Sequence, residues 1–321
     1  ASGFPVGVLK IANPAFSRIE LEAQDAAAAF IAAGEGIRTA TNVEIDNVPP
    51  IAEIGDGGLL FARIITYLSG GTLDEGIYLS PVRVAALGDL AGRTCRALAA
   101  FDHPGVDRVL QWDLRHGIRT VEVLAPHVTV AHQREAVESA AASAWQVVAD
   151  LSDDLPVQVS HGDGTGDNIV CDTGGMPDGL IDFGDLTRSW TVLELAVAVA
   201  SVLRHDGAEA AATLPAIAAF HAVRPLGPAE IEALWPLVVL RSAVLVVSGL
   251  QQSSIDVDNA YASDSLAHEW QTFERAIRIP IDVMTAQIRH ALGVAHPGEP
   301  ITAEMTLIAG LDPRDIVRLD L

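Results

Sequence analysis

Apolar and polar positions along the chain change period twice, and the changes divide it. Pro5 to Ala12 (PVGVLKIA) is an apolar run with one charge, a strand signal that Asn13-Pro14 closes. Ser17 then stands as a helix cap with Glu20 three places on, the spacing of a capping box, and the helix runs through Ala-rich Glu22 to Ala33 and stops at Gly34. Arg38 to Glu53 reads as extended, with Pro49-Pro50 in a turn and Gly55 to Gly58 in another. Leu59 to Leu68 (LLFARIITYL) is a strongly β-prone strand, followed by Ser69-Gly70-Gly71. From Ser80-Pro81 the period becomes helical. The pattern predicts helices from there through Ala100, over Val130 to Leu151, over Val192 to Arg204 with Thr191 as cap, over Leu214 to His221, and over Pro228 to Leu250. A last helical stretch, Ser263 to Leu292, is interrupted at Pro280, and His296 to Leu321 reads as a tail. Strands first and helices afterwards predict an α+β protein with a small β-rich lobe and a large, mostly helical one.

One β-like interruption falls inside the helical half. Asn168 to Cys171 reads as a short strand, Asp172 to Asp178 (DTGGMPD) as turn material, and Gly179 to Asp182 as the return strand. Asn168 begins this hairpin and Asp182 ends it, so both side chains reach the same end. An amide oxygen and a carboxylate there suit Mg²⁺, which takes oxygen ligands and completes its shell with waters and phosphates. Asp163 precedes the hairpin in a Gly-rich loop beginning His161-Gly162. Asp163 and Asn168 stand in the spacing D-x-x-x-x-N, and Asp182 opens a D-F-G, a set similar to that of protein kinases. Thr187 to Trp190 reads as a loop.

Composition narrows the partners. The formal charge of −22 excludes a nucleic-acid footprint and favours a cationic small molecule. Leu234 to Leu250, the most apolar stretch, carries Pro236 and Arg241 and reads as a buried helix rather than a membrane span. Arg241 in such surroundings needs a partner; Glu194 is the expected carboxylate, and substrate is the alternative. Trp112 and Asp113 are read as packing and capping residues, with the lining of a substrate cleft as the alternative. Cys95 and Cys171 stand alone and form neither a metal site nor a disulfide framework. No basic-then-apolar leader opens the chain, so a cytoplasmic location is expected. Lys10 is the single lysine among 20 basic residues. A compact ammonium on a strand suits a point contact to phosphate, where the planar guanidinium used elsewhere in the chain does not.

These residues carry a resemblance. Val8-Leu9-Lys10-Ile11-Ala12-Asn13, Leu21-Glu22-Ala23-Gln24, Ser160-His161-Gly162-Asp163, Asn168 and Ile181-Asp182-Phe183-Gly184-Asp185, continuing to Trp190 and Glu194-Leu195-Ala196, resemble the aminoglycoside phosphotransferase family, above all its hydroxylysine-kinase-like branch. The resemblance implies a two-lobed protein-kinase-like fold with a nucleotide-binding N-lobe over 1–68, a helical C-lobe over 69–295, and a tail over 296–321. It implies that Lys10 contacts ATP phosphates and that Glu22 orients it. The backbone of Thr66, Tyr67 and Leu68 meets the adenine, Asp163 is the catalytic base, Asn168 and Asp182 bind Mg²⁺, and Asp185 is a further acid. Two more strands and a phosphate-covering loop are expected ahead of the Lys10 strand, and only nine residues precede it, so the N-lobe is expected to be partial. The implied reaction is transfer of the γ-phosphate of ATP to a hydroxyl of a small amine-bearing metabolite, a hydroxylysine-like amino alcohol or an aminoglycoside. The alternative is a non-catalytic kinase-like module that binds a ligand or regulates a larger protein. Domains of this kind also occur fused to class III aminotransferases, so a fused or neighbouring enzyme domain is an implied partner, and no membrane is.

Overall fold

A computed structural model describes residues 7–55, 60–73, 78–255 and 260–294, with the side chains of 260–265 excepted. The predicted tail over 296–321 lies outside the described residues, as do the start of the first strand and most of the Gly55 to Gly58 turn. The small lobe holds an antiparallel sheet in the order β1-β4-β3: β1 is Gly7–Ile11, β3 Ala52–Ile54 and β4 Leu60–Thr66. Lys10 lies opposite Arg63 in the β1–β4 register. Helix α1 (Arg18–Gly34) begins with the predicted capping box between Ser17 and Glu20. Its Leu21 packs with Ile51 and Phe61 in a small core that also includes Ala12 and Phe16. Arg63 reaches down from the sheet to Gln24 and Asp25 on α1, tying helix to strand. The extended stretch from Arg38 yields only two short strands, β2 (Arg38–Thr39) and β3.

Strand β2 leaves the small lobe and pairs in parallel with β7 (Pro177–Leu180), whose other neighbour is β6 (Ile169–Cys171). The predicted hairpin is therefore present, with residues 172–176 as its turn, and it is stapled to the other lobe. Arg38 reinforces the staple: it pairs with Asp178 and donates to the carbonyls of Ser69 (2.9 Å) and Cys171 (2.8 Å). The chain between the lobes runs directly over the hairpin. Gly70 has φ +121°, and a Cβ there would stand 1.8 Å from the Cys171 carbonyl oxygen, so only glycine fits.

The large lobe contains α2 (Pro81–Leu98), α3 (Gly117–Leu124), α4 (Ala131–Leu151), α5 (Leu193–Val202), α6 (Leu214–Val223), α7 (Pro228–Ile255), α8 (Ala260–Ile277) and α9 (Ile281–Ala291). Ser80 caps α2 through its side chain, with Pro81 at the first helical position. Pro280 ends the α8 region, as expected. Helix α7 is the axis of this lobe. By length and composition it is apolar enough to cross a membrane, but 83% of its most apolar window is buried inside the fold. Residues 187–190, expected as a loop, form a strand, β8 (Thr187–Trp190), paired antiparallel with β5 (Val157–Ser160). It buries Thr187, Ser189 and Trp190 and leaves Arg188 to pair with Asp102 and Asp107, so a polar sequence is covered on both faces. Thr191 does not cap α5; its hydroxyl donates to the Pro156 carbonyl, and the cap position falls to Val192. Cys95 and Cys171 are both free and buried.

Candidate active site

Four segments meet where the lobes face each other: β1 with Lys10, the loop from His161 to Asn168, the turn after β7 with Asp182, and the middle of α7. The loop leaves β5 at His161, which is fully buried. The His161 Nδ1 accepts from the Asp163 N–H (3.3 Å), and Nε2 lies 3.2 Å from the Ile181 carbonyl. A ring carrying its proton on Nε2 satisfies both contacts. Gly162 takes φ +78°, and its N–H donates to Glu194 Oε1 at 3.1 Å. Glu194 sits in the first turn of α5 and is buried, so it anchors the bend that presents Asp163. Burial pushes its carboxyl up, opposed by His161 and by the backbone N–H groups of residues 161 and 162.

Asp163 is half-buried and held on two sides. Asn168 Nδ2 donates to the Asp163 Oδ2 at 2.6 Å and to the Asp163 main-chain carbonyl at 3.0 Å; Arg241 Nη2 stands 3.5 Å from Oδ1. Arg241 is almost fully buried and lies over the Trp112 ring at 5.0 Å. The expected Arg241–Glu194 pair is therefore replaced by two separate contacts: Glu194 holds the loop backbone from α5, and Arg241 holds the loop carboxylate from α7. Asp113 caps the short helical turn after it, as expected, and also accepts from Ser189 at 2.6 Å.

The hairpin closes the other side. The Ile181 N–H donates to the Asn168 carbonyl at 2.9 Å, which keeps Asn168 and the turn after β7 adjacent. Asp182 adopts a left-handed conformation (φ 58°) and accepts from the Gly184 N–H at 3.2 Å. Its Oδ2 lies 3.1 Å from Lys10 Nζ. Burial raises the Asp182 carboxyl, but the Lys10 ammonium, the Gly184 N–H and His161 together hold the group below the usual carboxylate range. Asp185 is pushed up to about 6 by burial and by the neighbouring Asp163 charge, against the pull of Arg241, His161 and Arg108.

The remaining expected residues fall as follows. Glu22 is exposed on α1 and does not pair with Lys10, whose ion partner among the described residues is Asp182. The reason is helical phase: Leu21, Gln24, Ala28 and Ile31 are buried on the inner face of α1, and Glu22 lies off it. The other acids of the helix are committed elsewhere, Glu20 to the cap and to Arg108 (2.9 Å), and Asp25 to Arg63 and Asn42. The Thr66 N–H donates to the Thr41 carbonyl at 2.8 Å and so is taken up within the lobe. Tyr67 and Leu68 follow the end of β4.

Mg²⁺ fits this donor set in one manner. The nitrogen of the Asn168 amide is committed to Asp163, which leaves its oxygen for a cation, and the Asp182 carboxylate is kept ionised. Among the described residues no group of three or more His, Cys, Asp or Glu forms an all-protein cage. Two hard oxygen ligands at the mouth of a cleft match an ion that takes the rest of its shell from phosphates and water.

A family model described as the phosphotransferase enzyme family matches residues 7–234. The hydroxylysine kinase of Bos taurus is 26% identical over 258 residues, which is 73% of this chain and 66% of that protein, so the chain spans just under two thirds of this relative. Among solved structures, the amicoumacin kinase hAmiN, in complex with AMP-PNP, Ca²⁺ and Ami, superposes with a TM-score of 0.61 at 18% identity, covering 86% of this chain and 83% of the other. An aminoglycoside phosphotransferase from Alicyclobacillus acidocaldarius gives a TM-score of 0.64 at 14% identity, with 88% and 87% covered. At these identities the structures establish the fold, two-lobed and protein-kinase-like.

Proposed function

Since the chain belongs to the phosphotransferase enzyme family, we propose that it transfers the γ-phosphate of ATP to a hydroxyl of a small, amine-bearing metabolite, a hydroxylysine-like amino alcohol before an aminoglycoside. One observation carries the reading. Lys10 and Asp182, far apart in sequence and on different lobes, stand 3.1 Å apart, beside an Asp163 already oriented by Asn168. A cation and a metal-type carboxylate converging from two lobes suit a polyphosphate between them; in the free protein they neutralise each other.

In this reading Asp163 accepts the acceptor hydroxyl's proton, and Asn168 and Arg241 fix the carboxylate so that little reorganisation accompanies attack. Lys10 moves from Asp182 to a phosphate oxygen when nucleotide binds. Asn168 and Asp182 would hold Mg²⁺, which when bound supplies charge neutralisation on the phosphates. The backbone of Tyr67 and Leu68 meets the base. Glu22 has no place in this scheme, since it is exposed and lies off the inner face of α1. The hydroxylysine kinase relative and the strongly acidic chain support an amine-bearing acceptor.

The test is ADP release with Mg-ATP against 5-hydroxylysine, simple amino alcohols and aminoglycosides, in wild type and Asp163→Ala. The variant is expected to lose about 10²-fold or more in kcat while binding Mg-ATP as before. Full activity in Asp163→Ala refutes the assignment.

A further inference from the structure

Behind the Asp163 loop lies a cavity of about 50 Å³ that the phosphate-transfer scheme leaves unused. It is enclosed by the loop itself through Thr165, by α5 through Ser201, by Arg204 just past the end of α5, by α7 through Arg241, and by α8 through Glu269 and Thr272. A cavity of this size exceeds the roughly 10–15 Å³ that a single water needs. Two polar atoms of its lining residues have no hydrogen-bond partner among the described residues. Arg241 Nη1 is a buried donor with nothing to donate to, although Nη2 of the same guanidinium reaches Asp163. Glu269 Oε2 is a buried acceptor with nothing to accept from.

The two groups have opposite charge and share one cavity, yet no ion pair joins them among the described residues. Burying either without compensation is costly. Burial alone pushes the Glu269 carboxyl up to about 7, with Arg204 and Arg241 pulling the other way. The space for this carboxylate is cleared by Gly249, where any Cβ would stand 1.9 Å from Glu269 Oε2. The site thus holds a guanidinium and a carboxylate apart on one cavity beside the proposed base, with Val197, Ala200 and Leu245 as apolar wall between the polar groups.

We propose that this cavity is the recognition subsite for the acceptor, and that it takes the zwitterionic end of an α-amino acid, with the carboxylate on Arg241 and the ammonium on Glu269. One small group carrying both charges satisfies both orphan atoms, which neither a simple amine nor a sugar ring does. Arg241 touches the bound end group and Asp163 at once, so the subsite sets how far the acceptor hydroxyl stands from the base. The substrate class rests on the phosphotransfer reading; the subsite itself does not.

Calorimetric titration of the full chain separates the two. The probes are 5-hydroxylysine, its decarboxylated form 1,5-diaminopentan-2-ol, and Nα-acetyl-5-hydroxylysine, each also assayed for phosphate transfer. Wild type is expected to bind hydroxylysine at least tenfold more tightly than either analogue. Arg241→Met collapses the difference from the decarboxylated probe, and Glu269→Gln collapses the difference from the acetylated one. Should Arg241→Met lose its cooperative thermal transition, the Glu269→Gln comparison decides alone. Equal binding of the three probes by wild type, no binding of any, or differences that persist in the variants overturn the proposal. Selective binding without phosphate transfer upholds the subsite and refutes the kinase reading; transfer to hydroxylysine without discrimination does the reverse.

Discussion

Glu194 is the side chain on which the geometry of the Asp163 loop most depends, and it touches no part of the proposed chemistry. Its carboxylate is buried in the first turn of α5 and receives the N–H of Gly162 at 3.1 Å, with the His161 backbone beside it. Glu194→Ala leaves those buried donors without an acceptor. An unsatisfied buried backbone group costs about 1–3 kcal/mol, and a small cavity adds to that, while relief of the buried charge subtracts. The net expectation is a loss of about 3 kcal/mol. For a chain of this size that is roughly 4–5 °C in melting temperature. Glu194→Gln keeps an oxygen toward Gly162 and removes the burial cost of the charge, so its loss stays under about 1 kcal/mol. The loop bend at Gly162 aims Asp163, so the Ala variant also loses about tenfold or more in kcat with little change in KM for ATP. Denaturant unfolding and steady-state kinetics of the two variants test this together. If Glu194→Ala unfolds within 1 kcal/mol of wild type, or if Gln and Ala behave alike, Glu194 is not the anchor of the loop.

Two further outcomes follow from the packing. Gly70→Ala places a methyl against the Cys171 carbonyl in a backbone conformation that L-residues avoid, so it is expected to destabilise by about 2 kcal/mol or more and to weaken Mg-ATP binding by loosening the link between lobes and hairpin. Gly34→Ala, where nothing lies within 4 Å of the added methyl, is the control and stays within about 0.5 kcal/mol of wild type in the same unfolding experiment. Glu269, pushed up to about 7 in the fold from an ordinary 4.5, contributes stability that is fully present below pH 4.5 and lost as pH rises through 7. Glu269→Gln removes that loss, so relative to wild type it gains up to about 3 kcal/mol between pH 4.5 and 8. A stability difference between the two that does not change with pH shows that the carboxyl titrates normally.

The sequence by itself determined the parts that depend on local order. The capping box of Ser17 and Glu20 and the Ser80-Pro81 helix start are set by neighbours within a few residues and are present where spacing puts them; the hairpin between Asn168 and Asp182 is present too, with its return strand two residues earlier than expected, at Pro177–Leu180. The order of strands before helices announced the two lobes, and the D-x-x-x-x-N and D-F-G spacings marked the loop and hairpin that meet between them. The tertiary structure alone decided which charges face each other. Arg241 signalled from sequence that it needed a partner, but a helix of mostly buried residues offers no local clue to which one, and the partner came from a loop 78 residues away. Glu22 satisfied the motif in sequence, while its phase on α1 turned it to solvent and gave the inner positions to Gln24 and Asp25. Thr187 to Trp190 looked polar and irregular because its burial is decided only once β5 lies beside it. Glu269 and Gly249 carry no signal in sequence, since the cavity they bound exists only after α5, α7 and α8 have packed. Local rules act along the chain and can be read from it; partner choice is made by packing across distances that the order of residues does not record.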